Sequence, residues 1–221
     1  MIKIIPAILT NNPNEAREML KRIEEAKVER AQIDIIDGVF AKNKTIDPST
    51  LENLDLDLNL DFHLMVKEPI NWVERCVRGG ADRIIGQIEM MTDQTGFVGK
   101  VQEVGKYVGL AIDLKTPVTS IDETIINNLD AVLVMSVAAG FGWQEFDLSA
   151  LLKINELDKI RERDKTPFRI IDDGGVTMEW IDEVHRAGVD EVVIGKRLFE
   201  GDLKTNIEKF TKAAYRAENS F

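Results

Sequence analysis

The feature that most constrains this chain is the alternation, from end to end, of short apolar runs with amphipathic stretches. The runs are IKIIPAIL (2–9), AQIDII (31–36), LDFHLMV (60–66), DRIIGQI (82–88), YVGLAIDL (107–114), DAVLVMSV (130–137), PFRIID (167–172) and DEVVIG (190–195). Most carry Ile, Val or Leu on both faces, the pattern of strands covered on both sides in a parallel sheet. Between the first two, NEAREMLKRIEEAK (14–27) repeats its apolar residues at steps of three and four, so one face can be buried as a helix. The same reading predicts helices near 69–79, 119–128, 148–162, 177–187 and 203–216, and weaker ones near 50–56 and 92–105. Strands alternating with helices through short connections make parallel βαβ units. Eight such units in 221 residues favour closure into one (β/α)₈ TIM barrel over an open doubly wound sheet. No linker or composition break appears, so one domain over 1–221 is expected. RGGADRIIG (78–86) and RAGVDEVVIG (186–195) echo each other as helix end, glycine turn and strand.

Charge and composition narrow the partners. A net charge of −11 lacks the clustered Lys and Arg that nucleic acid requires, and it disfavours an anionic membrane surface. No apolar run approaches the roughly 18 residues of a membrane span. MIKIIPAIL is interrupted by Pro6 too early for a signal peptide, so a cytoplasmic enzyme is the expectation. Cys76, the single cysteine, excludes an intrachain disulfide and reads as packing within WVERCVRGG. RAENSF (216–221) reads as a frayed end.

In such a barrel, chemistry sits at the C-terminal ends of the strands. There AQIDIIDG offers Gln32 and Asp34, which share one face at period two, and Asp37, which falls past the strand and suits a turn with Gly38. DFHLMV offers His63, which on its own reads first as a satisfied core histidine. Strand seven ends in IIDDGGV, with Asp173 before Gly174 and Gly175. A Gly-Gly pair is most often a plain turn, but it also lets backbone N–H groups approach a phosphate. VAAGFGWQEF (137–146) adds Gly140, Gly142 and Trp143, and IGKRLF adds Gly195 and Lys196. Three glycine loops after strands six, seven and eight point together to a phosphorylated small molecule. Two carboxylates and an imidazole beside them suit proton transfer next to a carbonyl, or metal-assisted hydrolysis; spacing leaves both open.

The segments PAILT (6–10), IDIIDGVF (33–40), FHLMV (62–66), EPINWVE (68–74), MSVAAGFGWQEF (135–146), DDGGV (172–176) and IGKRLF (194–199) resemble the ribulose-phosphate 3-epimerase family in order and spacing. The resemblance covers nearly the whole chain. It implies a single barrel that interconverts D-ribulose 5-phosphate and D-xylulose 5-phosphate, a step of the pentose phosphate pathway. It also implies that Asp34 and Asp173 move protons at C3 from opposite faces. In the family a divalent ion (zinc, iron, manganese or cobalt) is held by the two aspartates and two histidines. His63 matches one histidine, and Gln32 stands where the other would be. An amide oxygen is a poor substitute for imidazole with zinc. Ala7, Gln87, Ala138-Ala139, Trp143 and Lys196 depart from the family's usual serine, histidine, Asn-Pro or Glu-Pro pair, glycine and serine. The family's members are commonly oligomers, so a homo-oligomer is implied. An epimerase on another ketose phosphate, or a sugar-phosphate binder without turnover, stands as the alternative. AIDLKTP (111–117) looks like the Asp-x-Lys motif of related decarboxylases, but Val118 stands where that motif needs an aspartate.

Overall fold

Period-two alternation along each apolar run decides which side chains fill a barrel and which meet the helices outside it. In the computed structural model, which describes residues 2–216, eight parallel strands close on themselves in sequence order. They are β1 (Lys3–Ile8), β2 (Arg30–Ile36), β3 (Asn59–Met65), β4 (Ala81–Gln87), β5 (Tyr107–Ile112), β6 (Ala131–Met135), β7 (Arg169–Asp173) and β8 (Glu191–Ile194). Each coincides with a predicted run to within a few residues. Six α-helices lie outside: α1 (Pro13–Glu25), α2 (Val73–Arg78), α3 (Gln94–Glu103), α4 (Ser149–Asp164), α5 (Ile181–Arg186) and α6 (Leu203–Ala213). The tail expected to fray lies, from 217 onward, outside the described residues.

Two apolar layers result. Ile5, Ile85, Leu133, Ile171 and Val193 pack inside the barrel. Ile33, Phe62, Ile84, Leu110, Val132 and Ile170 face the helices in a second, larger layer, which also takes Leu20, Ile154 and Cys76. Cys76 is therefore packing, and burial pushes its thiol up from the ordinary range. Below the inner layer, Arg83 pairs with Asp61 and Glu191, and Arg30 joins Asp61 to Asp82. The echo at 78–86 and 186–195 is structural too: α2 and α5 each end in a turn, with Gly80 (φ 84°) and Gly188 (φ 111°), that leads into β4 and β8.

Four predicted helices come out shorter or different. The 119–128 stretch forms two 3₁₀ turns, Val118–Ser120 and Ile126–Asn128. Asp122 takes the N–H and hydroxyl of Thr124 at 2.9 and 2.7 Å, and this local bonding competes with a helix in a stretch rich in β-branched residues. Near 50–56 only a 3₁₀ turn, Pro48–Leu51, forms. A 3₁₀ turn, Pro69–Trp72, precedes α2. The expected helix at 177–187 begins only at Ile181.

One core position breaks the apolar rule. Asp172 points away from Asp173, toward the helix layer, and neither of its oxygens has a hydrogen-bond partner among the described residues. Burial pushes its carboxyl well above the usual range; the nearby Ser136 hydroxyl, which donates to the Gly174 carbonyl, opposes the rise and the Asp173 charge adds to it. A carboxyl whose folded pKa lies above its unfolded value favours folding at low pH and weakens it as pH rises. Asp172→Val is therefore expected to raise thermal stability at pH 7 by roughly 1–3 kcal/mol, removing an unpaired buried group. At about 2–4 °C per kcal/mol this is visible in a melt. The advantage over the parent should shrink as pH falls toward 4; a gap that stays constant or widens would contradict this reading of Asp172.

Candidate active site

Strand register builds the site. β2 and β3 align Asp34 with His63, β1 and β2 align Ala7 with Gln32, and β7 and β8 align Asp173 with Val193. Asp34, His63 and Asp173 each offer one ligand-type atom, and these atoms lie within 4.8 Å of one another. The structure brings the two aspartates and the histidine named from the sequence to one point. His63 Nδ1 lies 3.4 Å from both Asp34 Oδ1 and Asp173 Oδ2. On its other side, Nε2 lies 3.3 Å from the Gln87 carboxamide. Turning that carboxamide gives its nitrogen two acceptors, Glu89 Oε2 and the Ala111 carbonyl, and leaves its oxygen for His63 Nε2–H. Gln87 thereby fixes the ring so that Nδ1 faces the acids.

Electrostatics follow from burial and contact. Burial pushes Asp34 above the ordinary carboxylate range. Its hydrogen bond with His63 opposes that rise and the Asp173 charge adds to it. Burial disfavours a charged His63, but hydrogen bonds to Asp173 and Asp34 outweigh it and raise the ring to about 9. Asp37 behaves as the turn residue expected. Its carboxylate accepts from the N–H groups of Val39, Phe40 and Lys67. Those bonds outweigh a partial burial and hold it below the usual range.

Gln32 is fully buried beneath the pair. Its Nε2 donates to Asp34 Oδ1 at 2.8 Å and to Asp173 Oδ2 at 2.7 Å, while its Oε1 has no partner among the described residues. An amide nitrogen is not a metal ligand. Three protein ligand atoms would be enough for a catalytic ion, but Gln32 directs N–H donors at the same carboxylate oxygens, so the set does not fit a cation while those bonds stand.

Above the acids opens a cavity of about 530 Å³, lined among others by Asp34, Asp173, Gly140, Gly142, Gly174 and Gly195. Trp143 and Lys196 also line it, at an exposed rim. Trp143 turns outward, 57% exposed, and borders the opening. Its backbone is left-handed (φ 64°), and the Arg197 guanidinium lies 5.6 Å from its ring centre. Arg197 is a site residue that sequence reasoning passes over; its one signal is adjacency to Lys196. Met65 and Met135 also line the cavity and read in sequence only as strand residues. Gly175 stands outside the lining, where a Cβ would sit 2.6 Å from the Phe146 nitrogen, so it lets strand seven's loop meet strand six's.

The family model described as Ribulose-phosphate 3 epimerase family matches residues 3–199. Over 213 residues the chain is 33% identical to a ribulose-phosphate 3-epimerase of Bacillus subtilis (strain 168), covering 95% of this chain and 98% of that protein. Over 220 residues it is 33% identical to a chloroplastic ribulose-5-phosphate-3-epimerase of Arabidopsis thaliana, covering 97% and 78%. Among solved structures it is similar in fold to a 3-hexulose-6-phosphate synthase from Salmonella typhimurium, with TM-score 0.68 and 13% identity over 96% of this chain and 98% of that one. No helix among the described residues is long and apolar enough to cross a membrane.

The two loop glycines separate by geometry. Gly175→Ala must hold a left-handed backbone (φ 65°) and meet the backbone of Glu145 and Phe146. It should lose at least ~1–2 kcal/mol from the backbone alone. Gly142→Ala, with nothing within 4 Å of the added carbon, should stay within about 0.5 kcal/mol of the parent. Thermal melts of the two variants check this; equal losses would contradict the loop packing described.

Proposed function

Because the chain belongs to the ribulose-phosphate 3-epimerase family, we propose that it epimerises a ketopentose phosphate, D-ribulose 5-phosphate and D-xylulose 5-phosphate, by two-aspartate proton transfer at C3. The observation that carries this reading is the meeting of Asp34 and Asp173, from β2 and β7 with β1 and β8 between those strands, at the floor of one cavity with His63 between them.

In each turnover the C3 proton passes to one carboxylate, and its electron pair moves to the C2 carbonyl oxygen to give an enediolate. The other carboxyl gives its proton to the opposite face of C3 as the carbonyl re-forms. The two acids exchange protonation states, and the reverse reaction starts from the new arrangement. One acid must therefore hold a proton while its partner is ionised, which the burial-raised Asp34 favours. His63, raised to about 9, supplies positive charge beside the pair.

Gly140, Gly142, Gly174 and Gly195 let backbone approach the phosphate, and Gly175 holds their loops together. Lys196 and Trp143 border the opening. The divalent ion that the family resemblance implies has three candidate ligands, Asp34, His63 and Asp173. The proton transfers above use only the chain's own groups. The chain's homologues point to a small phosphorylated sugar as partner and to a carbohydrate isomerase as the enzyme class. A longer ketose phosphate is the second substrate to assay, because Trp143 and Lys196 change the rim where chain length would be read.

Incubation with ribulose 5-phosphate in D₂O tests the proposal: the xylulose 5-phosphate formed should carry deuterium at C3 by NMR. Asp34→Asn and Asp173→Asn should each lower turnover by at least about 10²-fold, the scale of one positioned acid or base, with folding intact. No turnover on pentose or hexose ketose phosphates by the folded protein would leave only a binder. A variant that kept most of its rate would remove that aspartate from the mechanism.

A further inference from the structure

Two carboxylates buried side by side need something positive, or a donor, between them. Gln32 lies two residues before Asp34 on β2 and so shares its inward face. The bonds from its Nε2 to Asp34 Oδ1 (2.8 Å) and Asp173 Oδ2 (2.7 Å) use both amide hydrogens. The reverse orientation would set the amide oxygen against two carboxylates. The observed one leaves Oε1 buried and unpartnered among the described residues, a cost accepted only because both N–H bonds go to acids. On the neighbouring strands, Ala7 beside Gln32 on β1 has no oxygen in its side chain, Asp61 beside it on β3 is held by Arg30 and Arg83, and Gln87 lies behind His63.

We propose that the Gln32 carboxamide occupies the place of a cation in this site and ties the two acids together directly, so the pair is assembled without a metal ion. Gln32 is then a positioning residue: it touches the acids and holds their separation. Its N–H bonds and an inbound cation compete for the same carboxylate oxygens. Binding an ion would require both bonds to break and the amide to turn over. This inference rests on the epimerase reading only for its effect on turnover; its effect on ion binding stands on the geometry alone.

The test compares the parent with Gln32→His and Gln32→Leu, each stripped with EDTA and then titrated with Zn²⁺ or Mn²⁺. Calorimetry and metal analysis read binding, and thermal melts read its effect. The parent should take up no stoichiometric ion, and its melting temperature should not respond to EDTA or metal. Gln32→His should gain one ion per chain, with affinity above the parent's by at least about 10–100-fold, the scale on which even an outer-shell partner of a ligand acts. Gln32→Leu, which removes the amide donors and leaves His63 Nδ1 between the acids, should melt lower than the parent and be restored by the ion, a rescue that loss of packing alone would not give. One ion bound per parent chain, with a melting temperature that falls on EDTA treatment, would overturn the proposal. So would a Leu variant that melts like the parent and ignores metal. If neither variant folds, the parent titration alone decides. Turnover of the EDTA-stripped parent on ribulose 5-phosphate is read separately: its absence would count against the epimerase reading and leave the binding result standing.

Discussion

The repulsion between two carboxylates in a dry barrel mouth is the constraint around which this structure is arranged. Each of Asp34 and Asp173 would be easier to bury alone. They are held together because their strands are fixed elements of a closed sheet, and because His63 and Gln32 reach them from the same inward face. Gln87 serves the pair at one remove by orienting His63. The polar chain runs from Glu89 through Gln87 and His63 to the acids, and each link fixes the hydrogen-bonding sense of the next.

The same interior carries a second charged layer at its other end. Arg83, Asp61 and Glu191 are buried together, with Arg30 closing the group from the side. Between the two charged ends lies the apolar layer of Ile5, Ile85, Leu133, Ile171 and Val193. Such an ion cluster is not in itself a large source of stability, but loss of one member would leave an uncompensated buried charge. It specifies which residues face inward: a slip of one residue in β3 or β4 would send Asp61 or Arg83 into the apolar helix layer. The register that guards against this slip also sets Asp34 beside His63. Folding specificity and site geometry thus come from one alternation pattern.

That pattern explains what the sequence made legible. Parallel strands buried on both faces are apolar runs with distinct ends, so all eight were readable, and period two carried Gln32 and Asp34 to one side. Helices that depend on a weak face were less legible. The 119–128 stretch has helix-like spacing, yet Asp122 bonds Thr124 locally and the segment settles into turns. Asp172 and Asp173 look alike in the sequence, and only the alternation separates an inward acid from an outward, unpartnered one. Arg197 was hidden because its relation to Trp143 depends on a loop whose backbone is left-handed at that tryptophan. No residue pattern tells which end of a carboxamide turns inward. For Gln32 that choice is made by acids arriving from β2 and β7, whose meeting is a tertiary fact.

The barrel does not determine the chemistry, because one scaffold of this kind hosts many reactions and differs among them at the strand ends. Asp34, His63 and Asp173 lie against one another, and Ala7, Gln32 and Gln87 on one side and Trp143 and Lys196 on the other surround them. The rim borders what enters the cavity, and the floor sets how the acids are held. The floor is the more tightly coupled of the two, since Gln32 contacts both acids and approaches the imidazole at once. With a histidine at 32 the acids would face an imidazole able to share a cation with them; with glutamine they face two N–H groups. One side chain thereby decides whether the acids, already facing the His63 imidazole, are further balanced by an exchangeable ion or by a covalently attached amide donor.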